Sequence, residues 1–351
     1  MPVAETLPPF PGDVPTHPLL VVDYQLIKKR DSSEVDKLWE AATKLGFWYL
    51  KNHEADDIVP EMFELGKETM ALPLEEKMKF EQGDEGMSFG YKAAGANAVD
   101  ATGELDTVEF LNVAKDDALA WPKQARRAYP PTANARMEST IIPFVKKSLE
   151  VNYAILDVFN DKLGLAPGTL RKFHSEEEFS GSETRLIKNP PTHNTTKQAI
   201  GSHTDFGSLS FLHNRLGGLQ VLVPGAETWQ YVKPIPYHAI CNIGDALSIF
   251  SGGILRSNLH RVVPPPGRQA GLERWSLVFF LRPGNSVVLR ALAEQSPIIA
   301  DAVKNAPEGK YETGSTSFEW FSRRIRNQRI KNRTGPETWM ASRGTEHKAE
   351  A

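Results

Sequence analysis

The stretch from residue 185 to residue 289 is built from short apolar runs that turn-forming residues separate. β-Branched and aromatic side chains dominate the runs, and Gly, Pro and Asn interrupt them at close intervals. Many short strands at such spacing are typical of a sandwich or jelly roll. We predict ten strands, at 185–188, 199–203, 209–212, 219–223, 229–232, 239–242, 247–250, 259–263, 275–281 and 286–289.

Upstream of these runs, residues 135–163 carry apolar side chains at helical spacing. This stripe predicts a long helix that packs on the sheet. The chain has 351 residues, of which 40% are hydrophobic, and this is ample for a large core. We therefore expect an α+β fold in which helices flank a β-core.

Two histidines and one aspartate in the β-rich region have the spacing of a metal site. His203 and Asp205 are two residues apart, so on a strand they face the same side. His260 follows 55 residues after Asp205 (260 − 205 = 55), which leaves room for several strands and a return to the same cavity. Two neutral imidazoles and one carboxylate form the facial triad that holds non-haem Fe(II). Either histidine alone would more often be a hydrogen-bonded core or surface residue.

A pair of polar residues opens the apolar run that ends at Leu281. Arg274 and Ser276 are two residues apart and share one face of the predicted strand. A guanidinium fork and a hydroxyl suit a carboxylate, whereas the alternative for Arg274 is a surface ion pair.

These motifs, in this order and spacing, resemble the signatures of the Fe(II)/2-oxoglutarate-dependent dioxygenases. The resemblance is to the isopenicillin N synthase-like branch, and to its fungal-type members. Further matching positions are Gly217-Gly218-Leu219-Gln220-Val221, Trp229, Asn242-Ile243-Gly244-Asp245 and Ser257.

The resemblance implies a double-stranded β-helix, a jelly-roll or cupin-like core with flanking helices. Its implied boundaries are a mainly helical N-terminal region at 1–180, the jelly-roll core at 181–290, and a C-terminal helix and tail at 291–351.

The resemblance also implies the chemistry. His203, Asp205 and His260 would be the catalytic Fe(II) ligands, and Arg274 with Ser276 would bind the distal carboxylate of 2-oxoglutarate. O₂ is the further co-substrate, and we expect ascorbate to stimulate turnover. Where the family has a tyrosine that helps to hold 2-oxoglutarate, this sequence has Asn189, which is shorter but can donate a hydrogen bond.

The expected reaction is oxidation of a C–H bond in a small organic metabolite, by hydroxylation, desaturation or cyclisation, with release of succinate and CO₂. We expect a role in secondary metabolism, with Phe206 and Phe211 at the substrate. The resemblance leaves two alternatives of the same class: an Fe(II) oxidase of the isopenicillin N synthase type that does not use 2-oxoglutarate, and a flavone-synthase-like desaturase. A His₂Asp zinc hydrolase, a non-catalytic cupin-like binding module and an oxygenase acting on protein or nucleic acid fit the sequence less well.

Charge and composition bear on partners and location. The formal net charge is −3, so no basic field indicates a nucleic-acid partner, and no apolar run approaches the ~18 residues of a membrane span. The single cysteine, Cys241, lies in an apolar segment and is expected to be a buried, inert thiol. Since a reducing compartment suits Fe(II), we expect a cytoplasmic protein.

Three segments carry weaker expectations. The glycine-rich stretch 80–103 is expected to be a long loop, either a lid or an exposed insertion. The arginines of a last helix, at 317–330, are expected to form a solvated face. Residues after Met340 are expected to be disordered.

Overall fold

The computed structural model describes residues 7–192, 198–226 and 228–345. Its strands are β1 (Val21–Asp23), β2 (Phe47–Lys51), β3 (Gly90–Lys92), β4 (Glu109–Ala114), β5 (Glu183–Asn189), β6 (Ile200–His203), β7 (Leu209–Asn214), β8 (Leu219–Val223), β9 (Thr228–Tyr231), β10 (His238–Ile243), β11 (His260–Val262), β12 (Arg274–Leu281), β13 (Val288–Arg290) and β14 (Glu312–Thr316). Its helices are α1 (Tyr24–Lys28), α2 (Ser32–Lys44), α3 (Ile58–Met70), α4 (Leu74–Met78), α5 (Lys115–Ala120), α6 (Pro131–Ala135), α7 (Ile142–Lys162), α8 (Thr169–Lys172), α9 (Asp245–Phe250), α10 (Pro297–Lys304), α11 (Ser317–Gln328) and α12 (Pro336–Ala341).

Two sheets form the β-core. The larger has eight strands in the order β1-β2-β10-β7-β12-β5-β4-β3, and the smaller has four in the order β6-β11-β8-β9. One cavity is lined by side chains from both sheets, which is the arrangement of a jelly roll. The predicted α+β jelly-roll fold with flanking helices is confirmed.

The larger sheet includes strands that precede the predicted core. β2 pairs antiparallel with β10, so that Trp48 lies opposite Cys241. β4 pairs antiparallel with β5, so that Asn112 lies opposite Arg185. The N-terminal region therefore extends the sheet on both sides as well as supplying helices.

The long helix α7 covers the outer face of the larger sheet. Its side chains Phe144, Leu149 and Leu156 are buried in the main hydrophobic core together with residues of β7 and β12. Gly164 follows the helix with a φ of 67°, a left-handed conformation that suits glycine at a helix end. The prediction of a long packed helix is confirmed, although a π-helical turn at Met137–Ile141 precedes α7.

One predicted strand is a helix. Residues 247–250 belong to α9, in which every side chain from Asp245 to Phe250 is buried. A run of four residues is too short to show a period, and its one polar residue, Ser248, is buried like its apolar neighbours, so the sequence pattern cannot distinguish a buried strand from a buried helix. A second predicted strand, 286–289, overlaps β13, which pairs with β14 outside both large sheets.

The glycine-rich stretch 80–103 is only partly a loop. It contains β3, the edge strand of the larger sheet, and its residues 97–99 line the cavity. None of the helices within the described residues is both long enough and apolar enough to span a membrane.

Candidate active site

The cavity between the sheets receives alternate side chains of the strands that border it. Along β12, Arg274, Ser276, Val278 and Phe280 line the cavity, as the two-residue period of a strand requires. The empty space, including the part that is open to solvent, is about 1230 Å³.

His203, Asp205 and His260 meet at this cavity. One potential ligand atom from each lies within 4.8 Å of the other two. The Oδ1 atom of Asp205 is 3.8 Å from Nε2 of His203 and 3.7 Å from Nε2 of His260. The histidines face each other across neighbouring strands, because His203 ends β6 and pairs with His260 at the start of β11.

Asp205 lies in the turn after β6 and not on the strand. The predicted reason for its proximity to His203, a shared strand face, is therefore corrected. Its backbone carbonyl accepts the N–H of Asp245 at 2.8 Å, at the beginning of α9. The turn is thus held by hydrogen bonds to α9 instead of by a strand ladder.

Backbone carbonyls fix the orientation of both imidazoles. Nδ1 of His203 lies 2.7 Å from the carbonyl oxygen of Gly201, and Nδ1 of His260 lies 3.2 Å from that of Asn258. Since a carbonyl oxygen can only accept, each Nδ1 carries the proton and each Nε2 presents a lone pair. This is the tautomer of a metal-ligating histidine.

Within the part of the chain that the structure describes, hydrogen-bond donors reach one oxygen of the Asp205 carboxylate. Its Oδ2 accepts hydrogen bonds from the hydroxyl of Ser210 at 2.6 Å and from the amide of Asn242 at 2.7 Å. Oδ1, the atom nearest both imidazoles, remains for a ligand. The sequence motif that contains Asn242 was matched to the family, but neither its role at Asp205 nor that of Ser210 was predicted.

The protonation states suit a metal. Burial and repulsion from His260 lower the pKa of His203 to about 3. Burial alone would raise the pKa of Asp205, but His260, His203 and the hydrogen bonds from Asn242 and Ser210 lower it to about 2. An unprotonated imidazole and an ionised carboxylate are the forms that coordinate divalent metals.

Arg274 is a buried cation that forms no ion pair with a carboxylate of the described residues. It is 4% exposed; its Nε donates to the carbonyl of Gly217 at 2.6 Å and its Nη1 to the hydroxyl of Ser276 at 2.7 Å. Within the described residues, no carboxylate lies within 4 Å of it. Burial lowers the pKa of Arg274 to about 10, so the guanidinium is still charged at neutral pH. A buried charge is costly unless it is paired, so this position suits a carboxylate of a ligand.

The two phenylalanines predicted to contact substrate lie in different places. Phe206 lines the cavity, in the turn after Asp205. Phe211 does not line the cavity, so the prediction that it contacts the substrate is corrected. Its neighbours on β7, Ser210 and Leu212, face the cavity, so alternation directs the Phe211 ring into the core against Phe144, with the ring centroids 6.4 Å apart.

Asn189 lies beside Arg274, because the two residues are paired across β5 and β12. Its side-chain oxygen accepts a hydrogen bond from the hydroxyl of Thr107 at 2.8 Å, and its side chain is not among those that line the cavity. The binding of 2-oxoglutarate by Asn189 stays a prediction.

A buried ion pair behind the site was not predicted. Asp245 pairs with Arg324 of α11, and both side chains are fully buried. Arg324 also donates to the backbone oxygen of Thr204 at 2.9 Å, between His203 and Asp205. The expectation that the arginines of this helix form a solvated face is wrong for Arg324, which pairs with Asp245 in the interior. It is also wrong for Arg329, which is buried and pairs with Glu81 and Asp84.

The C-terminal segment closes part of the cavity. Trp339 of α12 lines it, together with Ser342 and Arg343, and Arg343 donates to the backbone oxygen of Ser202 at 2.7 Å. The expected disorder after Met340 is therefore wrong for residues 341–345, and residues 346–351 lie outside the described part of the chain.

Comparison with known families decides the assignment. The family described as the 2OG-Fe(II) oxygenase superfamily matches residues 182–283, and the family described as non-haem dioxygenase in morphine synthesis N-terminal matches residues 19–133. A 2-oxoglutarate-dependent dioxygenase of Amanita muscaria is 35% identical over 143 residues, which cover 40% of this chain and 69% of that relative. The chain belongs to the 2OG-Fe(II) oxygenase superfamily.

Relatives aligned over longer stretches agree. A 2-oxoglutarate-dependent dioxygenase of Aspergillus fumigatus is 28% identical over 364 residues, covering 93% of this chain and 90% of that relative. The crystal structure of a full-length Neurospora crassa protein in complex with alpha-KG has a TM-score of 0.70 and 21% identity, covering 87% of this chain and 95% of that one. The latter shows that the fold is shared. The predicted resemblance to fungal-type members is confirmed.

As a member of this superfamily, the chain is a 2-oxoglutarate-dependent dioxygenase, an oxidoreductase whose cofactors are Fe(II) and 2-oxoglutarate. Its residues fit these groups. Two imidazoles and a carboxylate are the donor set of a non-haem Fe(II) site. The uncompensated guanidinium of Arg274 lines the same cavity and matches a dicarboxylate co-substrate.

Proposed function

We propose that His203, Asp205 and His260 are the catalytic residues that bind Fe(II), and that Arg274 and Ser276 bind the distal carboxylate of 2-oxoglutarate. The observation that carries this proposal is the buried Arg274, which has no carboxylate partner among the described residues and lies in the cavity that the three potential metal ligands also line. Arg274 and Ser276 of β12 would bind 2-oxoglutarate by its distal carboxylate, and its keto acid end would then be directed at the metal.

The reaction we propose is oxidation of a C–H bond of a small organic metabolite, by hydroxylation, desaturation or cyclisation. Iron, 2-oxoglutarate and O₂ would supply the oxidising chemistry, with O₂ as the oxidant and succinate and CO₂ as the products of 2-oxoglutarate, while the protein supplies position and a dry cavity. The half-buried Phe206 and the covering segment around Trp339 favour a small substrate with an apolar part. Several relatives come from fungi, which supports a role in secondary metabolism.

We further propose that residues 181–290 carry the site and that the flanks, 1–180 and 291–351, complete its walls. Side chains at 97–99 and Trp339 support this division, because they line the cavity from either flank. A cytoplasmic location is part of the proposal. It is supported by the buried free thiol of Cys241, which is suited to the reducing compartment that Fe(II) also needs.

Anaerobic titration of the Fe(II)-loaded protein with 2-oxoglutarate tests the assignment. We expect the weak visible charge-transfer band of the chelate to appear. Replacing Arg274 by Gln should weaken the affinity for 2-oxoglutarate about 10- to 100-fold, because a charge-assisted bidentate contact is lost. The exposed Arg268 provides the matched control, since Arg268→Gln should leave the affinity unchanged.

Two results would contradict the assignment. An unchanged affinity in Arg274→Gln would remove Arg274 from the co-substrate site. Fe(II) binding without any chelate band would favour the alternative oxidase that does not use 2-oxoglutarate.

A further inference from the structure

A second cavity arginine lies at the other end of β12 from Arg274. Arg282 comes directly after the last residue of the strand, lines the cavity, and is 4% exposed. Arg282 lies eight positions after Arg274 (282 − 274 = 8), which corresponds to about 26 Å along an extended strand. A five-carbon dicarboxylate such as 2-oxoglutarate is too short to bind both. A co-substrate held at Arg274 therefore leaves Arg282 for something else.

Arg282 lies close to another cavity arginine, Arg185 of β5. Both donate to the same oxygen of Glu183, at 2.8 Å from Arg185 and 3.2 Å from Arg282. The other carboxylate oxygen of Glu183 accepts the hydroxyl of Ser88. Two guanidinium groups thus share one carboxylate, and the cluster carries an excess positive charge.

The rest of the lining does not cancel this charge. Among the described residues that line the cavity, the acidic ones are Asp106 and Asp205. Asp106 forms a buried ion pair with Lys92, so the two are neutral together. Asp205 is assigned to the metal. The wall around Arg185 therefore offers positive charge to whatever the cavity holds.

The geometry leaves donors of the cluster free. The guanidinium of Arg185 lies between the rings of Phe110 and Phe280, at 4.3 Å and 5.0 Å from their centroids. Its faces are thus covered, while Nε donates to the side-chain oxygen of Asn112 at 2.8 Å and Nη2 to Glu183. Its Nη1 has no partner in the described part of the chain. The Nε of Arg282 is buried and likewise without a partner there.

We propose that Arg185 and Arg282 form the anion subsite for the primary substrate, which is a small carboxylic acid with an apolar body. The carboxylate binds the free edge of Arg185, and the apolar body lies on Phe280 and its neighbours, towards the metal. This inference rests on the proposed function, because it requires that 2-oxoglutarate occupies Arg274. It narrows the substrate class from a small metabolite to an organic acid.

Calorimetric titration under nitrogen tests the proposal on protein loaded with Fe(II) and 2-oxoglutarate. The probes are cinnamate, 4-phenylbutanoate and decanoate, each beside its carboxamide, which keeps the shape and removes the charge. We expect at least one acid to bind, and to bind at least about tenfold more tightly than its amide. In Arg185→Gln, acid binding should weaken about 10- to 100-fold while the affinity for 2-oxoglutarate stays unchanged.

Arg290→Gln is the control, because Arg290 is an exposed arginine that forms a salt bridge with Glu294 outside the cavity. It should bind both the acid and 2-oxoglutarate as the wild type does. If Arg185→Gln folds poorly, Arg185→Lys keeps the charge without the planar fork, and the comparison of acid with amide in the wild type already decides the question.

The proposal is overturned if no acid binds more tightly than its amide to the loaded wild type, or if none binds. It is also overturned if Arg185→Gln weakens 2-oxoglutarate as much as the acid, since the cluster would then hold the co-substrate. Failure of the wild type to bind 2-oxoglutarate at all is a separate result, seen before any acid is added. It would contradict the proposed function and this inference together.

Discussion

At the scale of single residues, neighbouring groups decide which atoms of the proposed ligands face the metal. Backbone carbonyls hold the Nδ1 atoms of His203 and His260, and side chains hold Oδ2 of Asp205. These partners orient the ligands before any metal binds, and such support is as important to a metal site as the ligands themselves.

Replacing Asn242 by Ala tests this support. We expect the affinity for Fe(II) to fall about 10- to 100-fold, because the carboxylate of Asp205 loses one of the two donors that orient it. Competition titration with a chromogenic chelator measures the change. Asn305→Ala, at an exposed asparagine after α10, is the control. An Fe(II) affinity equal to that of the wild type in Asn242→Ala would contradict the role.

The buried His174 predicts how stability depends on pH. Its Nδ1 donates to the carbonyl of Leu170 at 2.6 Å, and its Nε2 accepts the hydroxyl of Ser208 at 2.6 Å, so the neutral ring is fully hydrogen-bonded. Burial lowers its pKa to about 4, whereas the unfolded chain has the ordinary value of about 6.5. Between these values the unfolded state binds more protons, so the free energy of unfolding falls as the pH falls.

The contribution of His174 to the free energy of unfolding is fully present above about pH 6.5. It declines by up to about 3 kcal/mol as the pH approaches 4. Urea unfolding of the wild type and of His174→Gln, at several pH values across this window, measures it. We expect the stability advantage of the wild type to shrink as the pH is lowered. An advantage that stays constant with pH would show that His174 is not the group responsible.

At the scale of elements, α9 and α11 hold the turn that carries Asp205. Arg324 of α11 pairs with Asp245 of α9 and donates to Thr204. Replacing Arg324 by Met should lower the free energy of unfolding by about 3 to 5 kcal/mol, since the buried Asp245 carboxylate loses the guanidinium with which it forms an ion pair. Urea unfolding provides the measurement.

Two comparisons sharpen this prediction. The double variant Arg324→Met with Asp245→Leu should be more stable than Arg324→Met alone, because the buried carboxylate is removed together with its cationic partner. Arg290→Met, which breaks an exposed pair with Glu294, should cost less than about 1 kcal/mol. A loss in Arg324→Met as small as that in Arg290→Met would contradict a supporting role for the ion pair.

The elements also show which features a sequence can predict. β12 was predicted almost to the residue, because a short apolar run rich in aromatic residues is a local signal of a buried strand. The helix α9 was predicted as a strand, since it is short and its polar residues, Asp245 and Ser248, are buried together with the apolar ones, so that no exposed face reveals a period. The burial of Arg324 was missed because its partner, Asp245, is 79 residues away in the chain.

At the scale of the whole molecule, three parts of the chain complete one cavity. The ligand motifs could be predicted because their spacing in the sequence is characteristic of this kind of metal site. The covering of the cavity by the C-terminal segment could not be predicted. The contact of Arg343 with Ser202 spans 141 residues and depends on how that segment docks. Likewise, Phe211 was assigned to the substrate because the sequence does not show which face of β7 meets the cavity.

The central claim is that one cavity holds Fe(II) on His203, Asp205 and His260 and 2-oxoglutarate on Arg274 and Ser276. A crystal structure of protein grown under nitrogen with both groups, with anomalous data at the iron edge, tests it most directly. We predict an iron peak between the two Nε2 atoms and Oδ1 of Asp205, with the distal carboxylate of 2-oxoglutarate on Arg274. An iron peak elsewhere, or 2-oxoglutarate bound at Arg185 and Arg282 instead, would contradict the account.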